Sequence, residues 1–198
     1  IAGFLTNNDD VLIQEHLVAM GNAISHRGPD ANGEYLNEHV GLCHRRLSIL
    51  DLSEAGNQPM FSDDNNIVIV RNQPMFSDDN NIVIVFNGEI YNFQTIKQDL
   101  EAQGVVFKSG TDTEVIIKLY EKEGVNCLEH LNGMFAFAIW DKAKKELFIA
   151  RDRLGKKPLY YYQDPEAPEQ FAFGSEIKAI LALPRIKREL RLDAVHDY

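Results

Sequence analysis

The chain has 198 residues, with 30 acidic against 20 basic side chains and a formal net charge of −10. That acidity argues against nucleic acid and anionic lipid as partners, and a mixture of 44% hydrophobic and 25% charged residues is globular rather than disordered. Two cysteines are too few for a disulfide scaffold and no apolar run is long enough to span a bilayer, so a reducing, cytoplasmic setting without a membrane is expected.

Asp9 or Asp10 is placed to cap a first helix with apolar positions Val11, Ile13, Leu17 and Met20, and Gly21 is its expected stop. The Gly-Pro pair in His26–Asp30 marks a turn, followed by strands over Gly33–Leu36 and Val40–Leu47. Residues 51–66 are polar and contain proline, hence loop. Asn92 is the expected cap of a second helix over Phe93, Ile96 and Leu100, ending near Gly104. Thr111 and Glu114 have capping-box spacing and open a third helix. Met134–Trp140 and Leu147–Arg151 form a hairpin around the charged turn Asp141–Lys145. Strands over Pro158–Tyr162 and Gln170–Gly174 follow, and Ser175 is the expected cap of a short last helix over Ile177 and Ile180. Few helices and many hairpin-linked strands, without regular βαβ alternation, give an α+β class with largely antiparallel sheets stacked face to face.

Residues 57–70, NQPMFSDDNNIVIV, recur without change as residues 72–85. Two copies are too few for a solenoid and too alike for an old structural repeat, which indicates a tandem duplication. Both cannot fill one slot in a sheet. The second leads directly into Phe86-Asn87-Gly88-Glu89, so it is expected to supply the core strand, with the first copy at an edge or in a loop.

Candidate chemistry is spread along the chain. Asn87-Gly88 could supply an amide side chain and a close backbone N–H to a developing oxyanion, although the same pair is commonly a hairpin turn. Arg46 could bind a carboxylate bidentately, or be a surface arginine at a strand end. Asp112 alone reads as a helix-cap residue. Cys43 and Cys127 sit in apolar patterns and read as small buried hydrophobes. His26 and His44 are candidate bases by residue type. The basic stretch Arg151–Lys157 holds Asp152 and runs into Pro158-Leu159-Tyr160, which favours a packed hairpin over a phosphate site.

Seven segments occur in order: HRGPD at His26–Asp30, HRRLSILDLS at His44–Ser53, FNGEIYN at Phe86–Asn92, GTDTE at Gly110–Glu114, NGMFAFAIWD at Asn132–Asp141, RDRLGKKPLYY at Arg151–Tyr161 and SEIKAI at Ser175–Ile180. Together they resemble the class II glutamine amidotransferase domain, closest to the amino-terminal glutaminase domain of asparagine synthetases. Removing one repeat copy shortens the step from Arg46 to Asn87 from 41 positions to 26, nearer the form that the resemblance implies.

The resemblance implies a four-layer αββα sandwich of the amino-terminal-nucleophile hydrolase type over residues 1–187, with residues 188–198 opening a linker to a synthetase domain. It implies hydrolysis of L-glutamine by a terminal cysteine whose own α-amino group is the base. It implies no histidine in that chemistry, which makes His26 and His44 structural. The usual start, Cys-Gly-Ile-Ala-Gly-Phe, would place that cysteine two residues ahead of Ile1, so this chain lacks it and by itself is expected to be inert. The resemblance assigns Asn87 and Gly88 to the oxyanion hole and Arg46 to the glutamine α-carboxylate. It assigns Leu47, Ser48, Ile49 and Leu50 to the neighbouring pocket wall, and Glu89 and Asp112 to the α-amino group. No cofactor or metal is implied for this domain. ATP and magnesium belong to the synthetase domain, whose Ser-Gly-Gly-x-Asp-Ser signature is absent here, and a homodimer is compatible with the family. The segments Arg151–Lys157 and SEIKAI are implied to lie towards the synthetase partner. A catalytically dead glutamine-binding or docking module is the alternative.

Overall fold

A computed structural model describes residues 1–5, 14–47, 75–76 and 81–188. Among the described residues nine strands form two antiparallel sheets. The first has the order β2 (Ala31–Leu36), β3 (Val40–Arg46), β1 (Ala2–Leu5), β9 (Phe171–Gly174), β8 (Tyr160–Gln163). The second has the order β4 (Met75–Phe76), β5 (Ile82–Ile90), β6 (Gly133–Asp141), β7 (Glu146–Arg151).

Period-two alternation sorts the strands' side chains into layers. On β5, Ile82, Ile84 and Phe86 turn towards α2 (Phe93–Ala102) and α3 (Asp112–Glu123), joining Phe135, Phe137 and Ile139 of β6 in one core. The intervening Val83 and Val85 join Ala136, Ala138 and Trp140 of β6 and meet Ile1, Val40, Leu42 and Phe173 of the first sheet. Behind the first sheet, Ala2, Phe4 and Cys43 pack on Leu17 and Met20 of α1 (Gln14–Ala23) and on Ala179 and Ile180 of α4 (Ile177–Ile180). The result is the expected αββα sandwich, with three apolar layers and the two sheets face to face.

The second repeat copy supplies the start of β5, as expected of it, and also β4, which was not expected; the first copy lies outside the described residues, as do residues 51–66, the capping aspartates of α1 with Val11 and Ile13, and residues 189–198. Several local expectations are corrected. Helix α1 runs through Gly21 to Ala23, and the Gly21 carbonyl in its last turn accepts from Arg45 Nε at 3.0 Å. Asn92 stands at the N-cap of α2 without a side-chain cap bond. Its amide instead clasps the segment before β6, donating to His130 O at 2.9 Å and accepting from Asn132 N at 3.0 Å. Ser175 does not cap α4; Glu176 occupies that position, and the serine hydroxyl is used elsewhere. Thr111 does cap α3, accepting from Glu114 N, while the Glu114 carboxylate reaches past it to the amides of Lys108 and Ser109 at 2.8 and 2.6 Å. In the Arg151–Lys157 segment the buried Asp152 accepts from the amides of Phe135, Lys156 and Lys157, so the stretch is packed within the fold as expected, but it is a connection between the two sheets rather than a hairpin, because β7 and β8 pair with other strands.

Candidate active site

The two sheets bring together residues that are far apart in the chain. Strand β3 presents Val40 and Leu42 to the inter-sheet layer, and alternation places His44 and Arg46 on the same face. The end of β3 is fixed by the His26–Asp30 turn. A side chain at Gly28 would lie 2.4 Å from the Arg45 carbonyl carbon, so glycine is required where the turn crosses β3, and Asp30 N donates to Arg46 O at 3.1 Å. Arg46 is buried.

Strand β5 approaches from the other sheet. It is buried from Ile82 to Phe86 and becomes half-buried at Asn87, Gly88 and Glu89, with Asn87 and Glu89 continuing the inter-sheet face of Val83 and Val85. Asn87 Nδ2 is buried without a hydrogen-bond partner among the described residues. An unmet buried donor costs about 1–3 kcal/mol, so an acceptor arriving at this point is favoured. Glycine at position 88 has a reason that the sequence did not show: a Cβ there would lie 2.2 Å from Met134 O and 2.7 Å from Phe135 Cα, on the neighbouring strand β6.

Asp112, the first residue of α3, is tied to β5 by accepting from Ile90 N at 3.0 Å. Burial raises its carboxyl above the usual range, opposed by backbone amides and reinforced by the negative charge of Glu89. Two acids therefore sit close enough to feel each other at the open end of β5, an arrangement that suits a bound cation. Leu47 is exposed where β3 ends; Ser48, Ile49 and Leu50 lie outside the described residues. Asn87, Gly88, Glu89 and Asp112 thus lie together at the end of β5, and Arg46 closes β3, whose His44 reaches Phe86 O directly before Asn87.

Ile1 enters the same layer. Its α-amino group donates to Ser175 Oγ at 3.0 Å, and its carbonyl accepts from Ser175 N at 2.8 Å. Burial pushes that amine down to about 6; Arg27 adds to the fall, while Cys43 and Glu176 oppose it. His44 is buried, with Nε2 3.1 Å from Phe86 O. Burial, then the charges of the Ile1 amine and of Arg46, push its imidazole down to about 3, against the pull of the Phe86 carbonyl. Ser175 escaped the sequence reading because its spacing to Ile177 imitates a helix cap. His44 had a usable signal, its period-two relation to Arg46. Cys43 and Cys127 are buried thiols, pushed up by burial to about 12 and about 11. His26 pairs with Glu176 at 2.8 Å on the surface.

A groove of about 910 Å³ opens elsewhere, over Tyr160, Tyr161, Ile177, Leu181 and Arg185, and shares none of the gathered residues. Among the described residues no three His, Cys, Asp or Glu side chains converge as a metal site, and no helix is long and apolar enough to cross a membrane.

Comparison with known proteins decides the family. The glutamine amidotransferase domain matches residues 1–72 and 70–198, two segments that meet at Arg71 between the repeat copies. The chain belongs to the glutamine amidotransferase domain family. It is 46% identical over 194 residues to a putative glutamine-hydrolysing asparagine synthetase 2 of Methanocaldococcus jannaschii, covering 94% of this chain and 36% of that protein. It is 40% identical over 181 residues to asparagine synthetase 3 of Bacillus subtilis, covering 89% and 26%. With asparagine synthetase B of Escherichia coli the figures are 34% over 186 residues, 94% and 30%. The chain therefore spans about a third or less of the length of these relatives. Among solved structures, the glutamine phosphoribosylpyrophosphate amidotransferase of B. subtilis superposes with a TM-score of 0.66 at 20% identity, over 91% of this chain and 42% of that one. At that identity the likeness establishes the shared amidotransferase fold.

Proposed function

We propose that this domain hydrolyses the side-chain amide of L-glutamine to glutamate and ammonia, and that the ammonia serves an ATP- and magnesium-dependent asparagine-synthetase-type domain of the same parent chain. The observation that carries the reading is the buried, unpartnered Asn87 Nδ2, on the same inter-sheet face as Glu89 and within a site that also holds Arg46 and Asp112.

The β1–β3 register supports the place of the nucleophile. Ala2 pairs with Cys43, so a strand continued backwards would set a residue two before Ile1 opposite Arg46. Ile1 faces the inter-sheet layer, and alternation would turn that residue the same way. A cysteine there would have its sulfur on the face of Arg46 and Asn87. Arg46 would hold the glutamine α-carboxylate, and Asp112 with Glu89 the α-ammonium. The free α-amine of the cysteine takes the thiol proton as sulfur attacks the amide carbon. Asn87 Nδ2 and Gly88 N–H stabilise the oxyanion, and the proton passes to the leaving nitrogen, which departs as ammonia. Water then cleaves the thioester, releasing glutamate and restoring the thiol. The exposed Tyr160, Tyr161 and Ile177 bordering the groove suit contact with the synthetase domain.

The test is ammonia release from glutamine by the chain carrying Cys-Gly ahead of Ile1, with the cysteine as the free terminus. Turnover is expected, with none from the chain beginning at Ile1 or from the Cys→Ala variant. A folded Cys-Gly chain that binds glutamine without releasing ammonia would favour the binding-module alternative, and one that does neither would overturn the glutamine pocket itself.

A further inference from the structure

Strands β3 and β5 belong to different sheets, and no backbone ladder connects them. The carboxylate-side arginine, Arg46, is on one, and the amide donor, Asn87, is on the other. Their separation is set by whatever crosses the inter-sheet layer. Along most of that layer the contacts are apolar and non-directional, from Val40 and Leu42 against Val83 and Val85. At its functional end a directional link crosses the layer: His44 Nε2 to Phe86 O, 3.1 Å. His44 is two residues before Arg46 on the same strand face, and Phe86 directly precedes Asn87.

We propose that His44 is a positioning residue of the glutaminase site, fixing the peptide plane that leads into Asn87 relative to the strand that carries Arg46. A carbonyl accepts, so Nε2 carries the proton and donates, and the ring is the neutral Nε2–H tautomer. The accepting oxygen belongs to the peptide unit whose nitrogen is that of Asn87, so the bond restrains the backbone directly before the oxyanion donors. Burial keeps the ring from charging, and its Nδ1 has no partner among the described residues, so the orientation of the ring rests on this bond and on packing. The role differs from acid–base catalysis. His44 moves no proton in the proposed reaction; it sets the distance between two groups that touch the substrate.

The kinetic part rests on the glutaminase reading; the structural part does not, and the experiment separates them. His44→Phe keeps a ring without the donor. His44→Asn stays polar but is too short to reach Phe86. His44→Gln returns an amide N–H near the place of Nε2. All three are made in the chain carrying Cys-Gly ahead of Ile1, and amide hydrogen exchange at Asn87 and Gly88 is followed beside kcat and KM for glutamine. H44F and H44N are expected to speed exchange at Asn87 and Gly88 and to lower kcat roughly 5- to 10-fold with KM within about 2-fold, the size of one lost neutral hydrogen bond. H44Q is expected to restore both. If H44F does not fold, H44N against H44Q carries the comparison. Unchanged exchange at Asn87 and Gly88, a change that H44Q does not restore, or a loss confined to KM would each overturn the proposal. Should the unsubstituted Cys-Gly chain release no ammonia, the glutaminase reading fails, and His44 is still judged by exchange.

Discussion

At position 88 the sheet and the chemistry make separate demands. The sheet demands glycine, since any Cβ would meet the Met134 carbonyl oxygen at 2.2 Å. The chemistry needs only the N–H. Asn87 is the reverse, because its side chain leaves a buried donor unmet and no packing reason for it is visible. The two neighbours should therefore fail differently. In the chain carrying the terminal cysteine, Asn87→Ala is expected to lower kcat by about 10²–10³ while folding normally, which steady-state kinetics and a melting curve together check. Gly88→Ala is expected to lose about 1–3 kcal/mol of stability by overpacking, seen first in denaturant unfolding. His44 provides a pH signature. Its folded value near 3 lies below the ordinary 6.5, so between those values the unfolded chain binds the extra proton. The His44 contribution to stability is therefore complete above pH 6.5 and falls as pH drops, with a slope approaching about 1.4 kcal/mol per unit, whereas the Ile1 amine, held near 6 against an ordinary 8, gives its loss at higher pH. Glu176, held down to about 2 chiefly by Lys178, adds its own loss only below about pH 4.5. Unfolding free energies between pH 6.5 and 5 should thus steepen with acid in the native protein and flatten in H44Q. At this scale the sequence showed which residue types could act, and the order of the seven segments implied which belong together. It did not show that Ser175 and Asn92 spend their side chains on distant backbone and terminus, since either residue satisfies a helix-cap pattern equally well.

Strand β5 shows how one element chooses between two identical sequences. The copies are identical and lead into different neighbours: Phe86-Asn87-Gly88 after the second, Arg71-Asn72-Gln73 after the first. Were the first copy to occupy the β5 slot, Arg71 would enter the core place of Phe86, which is 4% exposed, and Gln73 would bring a Cβ where none fits. Buried charge and steric overlap both exclude it. The preference for the second copy was legible because it depends on neighbours in sequence, and the pairing of β5 with β6 reflects their matching alternation. The short β4 pairing, Met75 with Ile84 and Phe76 with Val83, was not legible, because both partners come from the same copy and the intervening polar run reads as loop. Proline discriminates the copies. Ile84→Pro removes a ladder donor from a strand paired on both sides and is expected to abolish cooperative folding. The equivalent change in the first copy, Ile69→Pro, is expected to shift the thermal midpoint by no more than a few degrees. Circular dichroism melts of the two variants check this, and equal damage from both would show that the copies share the load.

The whole molecule places its candidate site across the boundary between two sheets, so the spacing of the sheets is a functional quantity. Hairpins such as β6–β7 are local and were readable. The order β2-β3-β1-β9-β8 was not, because it seats the first strand between segments about 40 and 170 residues away, a non-local pairing that no periodicity encodes. Sheet spacing depends on small residues. Ala136 and Ala138 alternate on the face of β6 that meets the first sheet, beside Trp140, the single tryptophan of the chain. Ala138→Leu inserts three carbons into a close-packed layer, which costs about 1–3 kcal/mol and is relieved by moving the sheets apart. That movement would carry Arg46 away from Asn87. Ile116→Val is the matched control: it trims the helix-side core by one carbon at a cost of about 0.5–1.5 kcal/mol and leaves the inter-sheet layer intact. Both variants should therefore melt a few degrees lower. Only Ala138→Leu is expected to lower kcat/KM for glutamine by more than about tenfold and to shift Trp140 emission in the folded state. If the two variants lose activity in proportion to stability alone, the site does not depend on sheet spacing; if they separate, the gap between the sheets is part of the catalytic geometry.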